Sequence, residues 1–153
     1  MSERVPHPAA PVAHGQPLSP EQLHVLWHEL ECGRYAQDLA LWRELAAEAG
    51  GPILDLGAGS GRVALDLARA GHEVVALDVD PVLLAALGDC AKAARLSVET
   101  VLADARDFAS ALAPRDFALV LAPMQTIQLL DGPGGRSGLL RSALDRLRPG
   151  YLL

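Results

Sequence analysis

Two cysteines, Cys32 and Cys90, are all that the 153 residues contain. They are too few for a disulfide framework and lack the Cys/His spacing of a zinc site. Their scarcity suits a reducing compartment, and a cytoplasmic location is expected. No apolar run approaches the ~18–20 residues that span a bilayer. The N-terminus has no contiguous apolar segment of the signal-peptide kind. A basic run is missing too: 13 Lys and Arg against 19 Asp and Glu leave a net charge of −6. That balance argues against dedicated nucleic-acid binding, which needs a basic stripe. What remains is ordinary globular material, 50% hydrophobic and 21% charged, which excludes disorder over the full length. The length suits one domain of ~100–150 residues.

Prolines at positions 6, 8, 11, 17 and 20 remove backbone donors and force extended geometry on their neighbours. Residues 1–18 therefore read as a disordered tail. Ser19-Pro20-Glu21 has the cap, the first-position proline and the early acid of a helix start. Residues 19–50 read as two helices, Pro20 to Glu31 and Tyr35 to Ala49, broken at Gly33 and stopped by Gly50-Gly51-Pro52. From residue 51 to 153 short apolar, strand-like runs alternate with helical ones. The strands are Pro52 to Leu56, Glu73 to Asp78, Leu96 to Ala103 and Asp116 to Ala122, with a fifth begun at Tyr151 to Leu153. Between them lie helices Gly61 to Ala70, Pro81 to Arg95 and Gly138 to Arg148, and a short helix over Asp107 to Leu112. Such alternation implies a doubly wound, mostly parallel α/β sheet with helices on both faces. Ligands bind such sheets at the carboxyl ends of the strands.

The sharpest local signal is Asp55-Leu56-Gly57-Ala58-Gly59-Ser60-Gly61. Glycines here let the chain turn through conformations closed to other residues and let a ligand approach the backbone. The spacing differs from the dinucleotide fingerprint, because Arg62 stands where the third glycine belongs. No Lys-Ser/Thr pair follows, so it is not a phosphate-binding P-loop. An acid two residues before the first glycine suits an ammonium group better than a pyrophosphate.

The stretch ILDLGAGSGRVALDLARAGHEVVALDVDP resembles the first two motifs of the class I S-adenosylmethionine-dependent methyltransferases, and the resemblance runs from about Tyr35 to Leu153. It implies a Rossmann-like sheet of order 3-2-1-4-5 and S-adenosylmethionine as cofactor. By the same resemblance Asp55 organises the glycine loop and the methionine ammonium. Gly57, Ala58, Gly59 and Gly61 let the backbone pass the ligand, and Asp78, with Val79 beside it, receives the ribose hydroxyls. Asp104 accepts from the adenine amino group while the Ala105 N–H meets a ring nitrogen. Ala122, with Pro123, Met124 and Gln125, walls the region of the sulfonium. Tyr35 folds an aromatic ring over the cofactor. The family has seven strands, whereas this sequence stops three residues into the fifth. The last two strands are thus missing, and the expectation is a fragment or a truncated product whose uncovered sheet edge invites self-association.

Each residue also has a structural reading: Asp55 as a loop brace, Asp78 as a strand-end acid, Asp104 as a turn cap, Tyr35 and Trp42 as core aromatics. Asp80 before Pro81 reads as a helix cap. His24 and His28 lie four apart and could share a helix face, but the second histidine of the metalloprotease motif is missing and no metal is expected. No catalytic base stands out; His28, Asp38 and Tyr35 are the options. The expected function is methyl transfer to a small-molecule acceptor, with no nucleic acid or membrane partner. The alternatives are a non-catalytic binding or assembly module of the same fold and, against Arg62, an NAD(P)-dependent oxidoreductase.

Overall fold

A computed structural model of the chain describes residues 17–113 and 115–149. The expected proline-rich tail, but for residues 17 and 18, and the fifth strand at 151–153 lie outside them. Four strands, β1 (Ile53–Leu56), β2 (Val74–Asp78), β3 (Val98–Leu102) and β4 (Leu119–Leu121), form one parallel sheet in the order β3-β2-β1-β4. Phe117, two residues before β4, makes a parallel bridge with Leu147.

Period-two alternation divides the strand residues between two cores. Ile53, Val74, Ala76, Leu119 and Leu121 pack against α2 (Leu39–Ala49), α3 (Arg62–Arg69) and α4 (Pro81–Ala93). Leu54, Leu56, Val75, Leu77 and Val120 pack on the other face with Phe108, Phe117 and α6 (Gly132–Leu144). Burial on both faces is why β1 is buried at all four positions and reads as a nearly continuous apolar run. Its exception is Asp55, whose register partners are Ala76 and Leu121. It puts an acid on the face of the sheet that α3 covers.

Several boundaries differ from expectation. The first helix, α1 (Pro20–His28), has its capping box: the Ser19 hydroxyl accepts from the Gln22 N–H and the Gln22 side chain accepts from the Ser19 N–H. It continues as a π-helical turn over Glu29–Gly33. The second helix starts at Leu39 rather than Tyr35. The Tyr35 carbonyl and the Asp38 carboxylate both accept from Arg62, and this long-range demand holds residues 35–38 out of the helix. Asp107 to Leu112 forms turns, not a helix. Tight bonds from Asp107 N–H to Asp104 and from Ala111 N–H to Phe108 shape it while Phe108 and Leu112 reach the core. The last helix begins at Gly132, with Pro133 in its first turn, and ends at Leu144. Glycines make its first turn a weak helix former, but Gly138 lies so close to the Arg106 backbone that a Cβ would fall 2.6 Å from the Arg106 oxygen. Packing outweighs propensity there. A short helix, α5 (Thr126–Leu129), was not expected. No helix among the described residues is long and apolar enough to cross a membrane.

Candidate functional site

The loop after β1 is shaped by its glycines. Gly57, Gly59 and Gly61 have φ of 69°, 55° and 97°, all left-handed, where a Cβ is strained. Space excludes side chains as well. A Cβ on Gly57 would fall 2.4 Å from Thr126 Oγ1, and one on Gly59 would fall 2.5 Å from the His28 ring. The loop is pinned from below by the Leu77 carbonyl, which accepts from the Gly57 and Ala58 N–H groups at 2.8 and 3.0 Å. It is pinned from the side by Asp78, whose Oδ2 accepts from the Gly59 N–H at 2.7 Å.

Above this loop, at the carboxyl ends of the strands, lies a cleft of about 610 Å³. Asp55, Gly57, Ala58, Asp78, Val79, Asp104 and Ala105 all line it. The opposite wall is Pro123, Met124, Gln125 and Thr126, with Leu129 and Leu130 from α5 and its end. Met124 has φ of 56°, an uncommon conformation for a residue with a side chain.

Asp55 is 1% exposed, and both its carboxylate oxygens lack a hydrogen-bond partner among the described residues. Burial pushes its carboxyl up to about 7; the Arg62 charge and the nearby Ala64 amide, short of hydrogen-bond geometry, pull the other way. A buried carboxylate with unused acceptors favours a cationic donor above it. Asp78 is differently placed. Its two oxygens accept from the Gly59 and Asp80 N–H groups, each retaining acceptor capacity. Asp104 is tied to Arg106, which donates from its backbone N–H, Nε and Nη2, and Arg106 also pairs with Asp131 at 2.8 Å. These bonds from Arg106 hold the Asp104 carboxyl below its ordinary value.

Four expected residues lie off the cleft lining. Gly59 acts through its amide on Asp78 and through the room it leaves for His28. Gly61 is the N-cap of α3. Ala122 packs at the edge of the second core. Tyr35 is half exposed in the turn before α2, its ring 5.5 Å from the Arg62 guanidinium. The ring that lies over the glycine loop belongs to His28.

Sequence reading passed over two of these interactions. Arg62 lines the cleft, and its side chain, 7% exposed, holds Asp38 with two hydrogen bonds. Burial works against the Asp38 charge, but bonds from Arg62 and Trp42 outweigh it and keep its carboxyl below the usual range. The other is the approach of α1. His24 Nε2 lies 2.6 Å from Asp80, the residue that caps α4 through the Val82 and Leu83 N–H groups. His28 Nδ1 lies 3.1 Å from Ser60 Oγ, and Ser60 donates to Glu29. The two histidines serve separate contacts, and no cluster of three or more potential metal ligands occurs among the described residues. The helical start at Ser19 and the four-residue spacing of the histidines were the available signals.

The sequence profile of a family described as a methyltransferase domain matches residues 53–150. Similar solved structures include the CcbJ methyltransferase from Streptomyces caelestis, with 28% identity over 73% of this chain and 48% of that one and a TM-score of 0.64. Another is the glycopeptide N-methyltransferase MtfA complexed with S-adenosyl-L-methionine, with 30% identity over 78% of this chain and 54% of that one and a TM-score of 0.62. This chain spans about half the length of these proteins. No curated protein matches it significantly.

Proposed function

This chain belongs to the methyltransferase-domain family, and from that premise we propose that its cleft binds S-adenosylmethionine for methyl transfer to a small-molecule acceptor. The observation that carries the reading is Asp55: a buried carboxylate with neither oxygen partnered among the described residues, lining a cleft beside a left-handed glycine turn. An ammonium group satisfies it; a diphosphate would add like charge. The residues present therefore fit the methionyl end of the cofactor.

When bound, S-adenosylmethionine supplies a methyl group activated by a sulfonium. The remaining work is orientation by the protein. Asp55 holds the ammonium. Asp78 receives the ribose hydroxyls with the acceptor capacity left by Gly59 and Asp80. Gly57 and Ala58 keep the loop low enough for the ligand to lie against backbone, and Gly59 and Gly61 hold its shape. Val79 and Ala105 flank the adenine. Asp104 accepts from the adenine amino group only by loosening its bonds to Arg106. Ala122 supports the wall from which Met124 and Gln125 face the methyl group. Tyr35 acts through Arg62 and does not cover the cofactor.

MtfA is a glycopeptide N-methyltransferase, which supports nitrogen as the accepting atom. The two thiols, neither in a disulfide, suit the cytoplasm. Exposed Leu140 and Leu144 on α6 support self-association, which light scattering reads directly.

Calorimetric titration with S-adenosylhomocysteine tests the reading, with NADH as control. Saturable binding of the first and none of the second is expected. D55N and D78N weaken binding at least ~10-fold, the scale of one lost charge-assisted hydrogen bond, and D104N less than either. Binding of NADH alone would overturn the assignment.

A further inference from the structure

The basic side chains lining the cleft, among the described residues, are Arg62, Arg106 and His28. Arg62 is engaged by Asp38 and the Tyr35 carbonyl, and Arg106 by Asp104 and Asp131. Four of the loop amides are occupied as well: those of Gly57 and Ala58 by the Leu77 carbonyl, that of Gly59 by Asp78 and that of Gly61 by the Ala58 carbonyl. A cofactor whose amino-acid end carries a carboxylate as well as an ammonium finds one basic group in the lining outside an ion pair, and that group is His28.

The bonding around His28 fixes which of its nitrogens is available. A carboxylate only accepts, so the contact between Ser60 and Glu29 is donated by the Ser60 hydroxyl. That hydroxyl has one hydrogen, so toward His28 it is the acceptor, and His28 Nδ1 carries the proton. Nε2 is the remaining pole. It lies over Gly59, where a Cβ would come within 2.5 Å of it. With Nδ1 already protonated, Nε2 donates to an anion only when the ring becomes an imidazolium.

We propose that His28 binds the carboxylate at the amino-acid end of the cofactor as an imidazolium, so that cofactor binding takes up a proton there. The proposal rests on the S-adenosylmethionine reading and adds to it a proton-coupled ligand on α1. The charged and titratable groups around His28 are Glu29, reached through Ser60, and, sharing the cleft lining, Glu31 and Cys32 on its own segment, Asp55 and Arg62 flanking the glycine loop, Asp78 at the end of β2, Asp80 after it, and Asp104, Arg106 and Asp131. Asp55 works in the opposite sense. Burial keeps it partly protonated near neutrality, and an ammonium above it releases that proton. The two ends of one ligand thus exchange protons in opposite directions, and the net count in the unmodified chain is small.

The test is calorimetry of the full chain near pH 7 in buffers of different ionisation enthalpy, which yields protons exchanged per ligand bound. The probes are S-adenosylhomocysteine and 5′-methylthioadenosine, which lacks the amino-acid end. H28Q offers an amide donor that cannot titrate, and H28N is the second variant. With S-adenosylhomocysteine each variant takes up fewer protons than the unmodified chain, by as much as one, and with 5′-methylthioadenosine the counts agree. In H28Q the affinity for S-adenosylhomocysteine rises with pH because only the Asp55 release remains. Equal proton counts for S-adenosylhomocysteine in the unmodified chain and both variants, with binding intact, would overturn the role of His28 and leave the cofactor reading standing. Failure of both nucleosides to bind the unmodified chain would remove the cofactor reading and this inference with it.

Discussion

Asp55 and Gly59 carry most of the argument at the scale of single residues. A carboxyl pushed up from its ordinary value to about 7 by burial binds protons more tightly in the folded chain than in the unfolded one. The folded state therefore loses stability as pH rises from about 4 to about 7, by about 1.4 kcal/mol for each pH unit crossed in that window. D55N removes that slope, and urea denaturation across this range should show a flatter profile for the variant without ligand. The same substitution weakens S-adenosylhomocysteine binding, so the acid destabilises the empty fold in the service of its ligand. Gly59 meets two demands, a φ of 55° and contact with the His28 ring. G59A should cost about 1–2 kcal/mol from backbone strain alone, plus the collision. In the double variant G59A/H28A the collision is relieved and the strain stays. A double-mutant cycle should therefore give a favourable coupling above about 0.5 kcal/mol; additive effects would show that the ring does not sit where described.

At the scale of elements, the N-terminal helices are held to the sheet domain in different ways. α2 packs Trp42 and Leu45 on the core and is joined to α3 by the partly buried pair of Arg62 and Asp38 and by Arg43 with Asp66. Removing one partner leaves the other without its hydrogen bonds, so R62A should destabilise the fold by about 1–3 kcal/mol, read from chemical denaturation. Because Arg62 and Trp42 hold the Asp38 carboxyl low, its contribution is present above pH ~4 and disappears as acid protonates it through its lower folded value. D38N should lose that acid-side slope. α1 differs: none of its residues is buried, and Leu23, Leu26 and Trp27 are exposed on it. Its contacts with the body include the polar ones of His24 and His28. Losing its cap by S19A should cost the helix about 1 kcal/mol. Hydrogen exchange should speed up in α1 while the midpoint of global unfolding barely moves. Equal acceleration in β1 would contradict this division.

At the scale of the whole molecule, the parallel sheet and its glycine turn were legible because each follows from short-range rules. Apolar runs of strand length alternate with amphipathic helices, and glycine at every second position supplies left-handed φ at no steric cost. What stayed hidden depends on residues far apart in the chain. Nothing near Arg62 announces that it will draw Tyr35 and Asp38 out of a helix, and nothing near Ser60 announces His28, 32 positions away. The early start of α6 was hidden for the same reason, since glycines that weaken a helix locally also let it lie against Arg106. Tyr35 was the natural aromatic to place over the ligand, but it lies off the cleft lining, half exposed, with its carbonyl bound by Arg62. All of these features converge on the ligand expected in the cleft. The most direct measurement is the affinity of the folded chain for S-adenosylhomocysteine beside that of the variant D55A/D78A, with circular dichroism confirming that both are folded. The account predicts saturable binding by the unmodified chain and at least a ~100-fold loss in the double variant, about 2.7 kcal/mol. Equal affinity in the two folded proteins, or no binding by either, would contradict it.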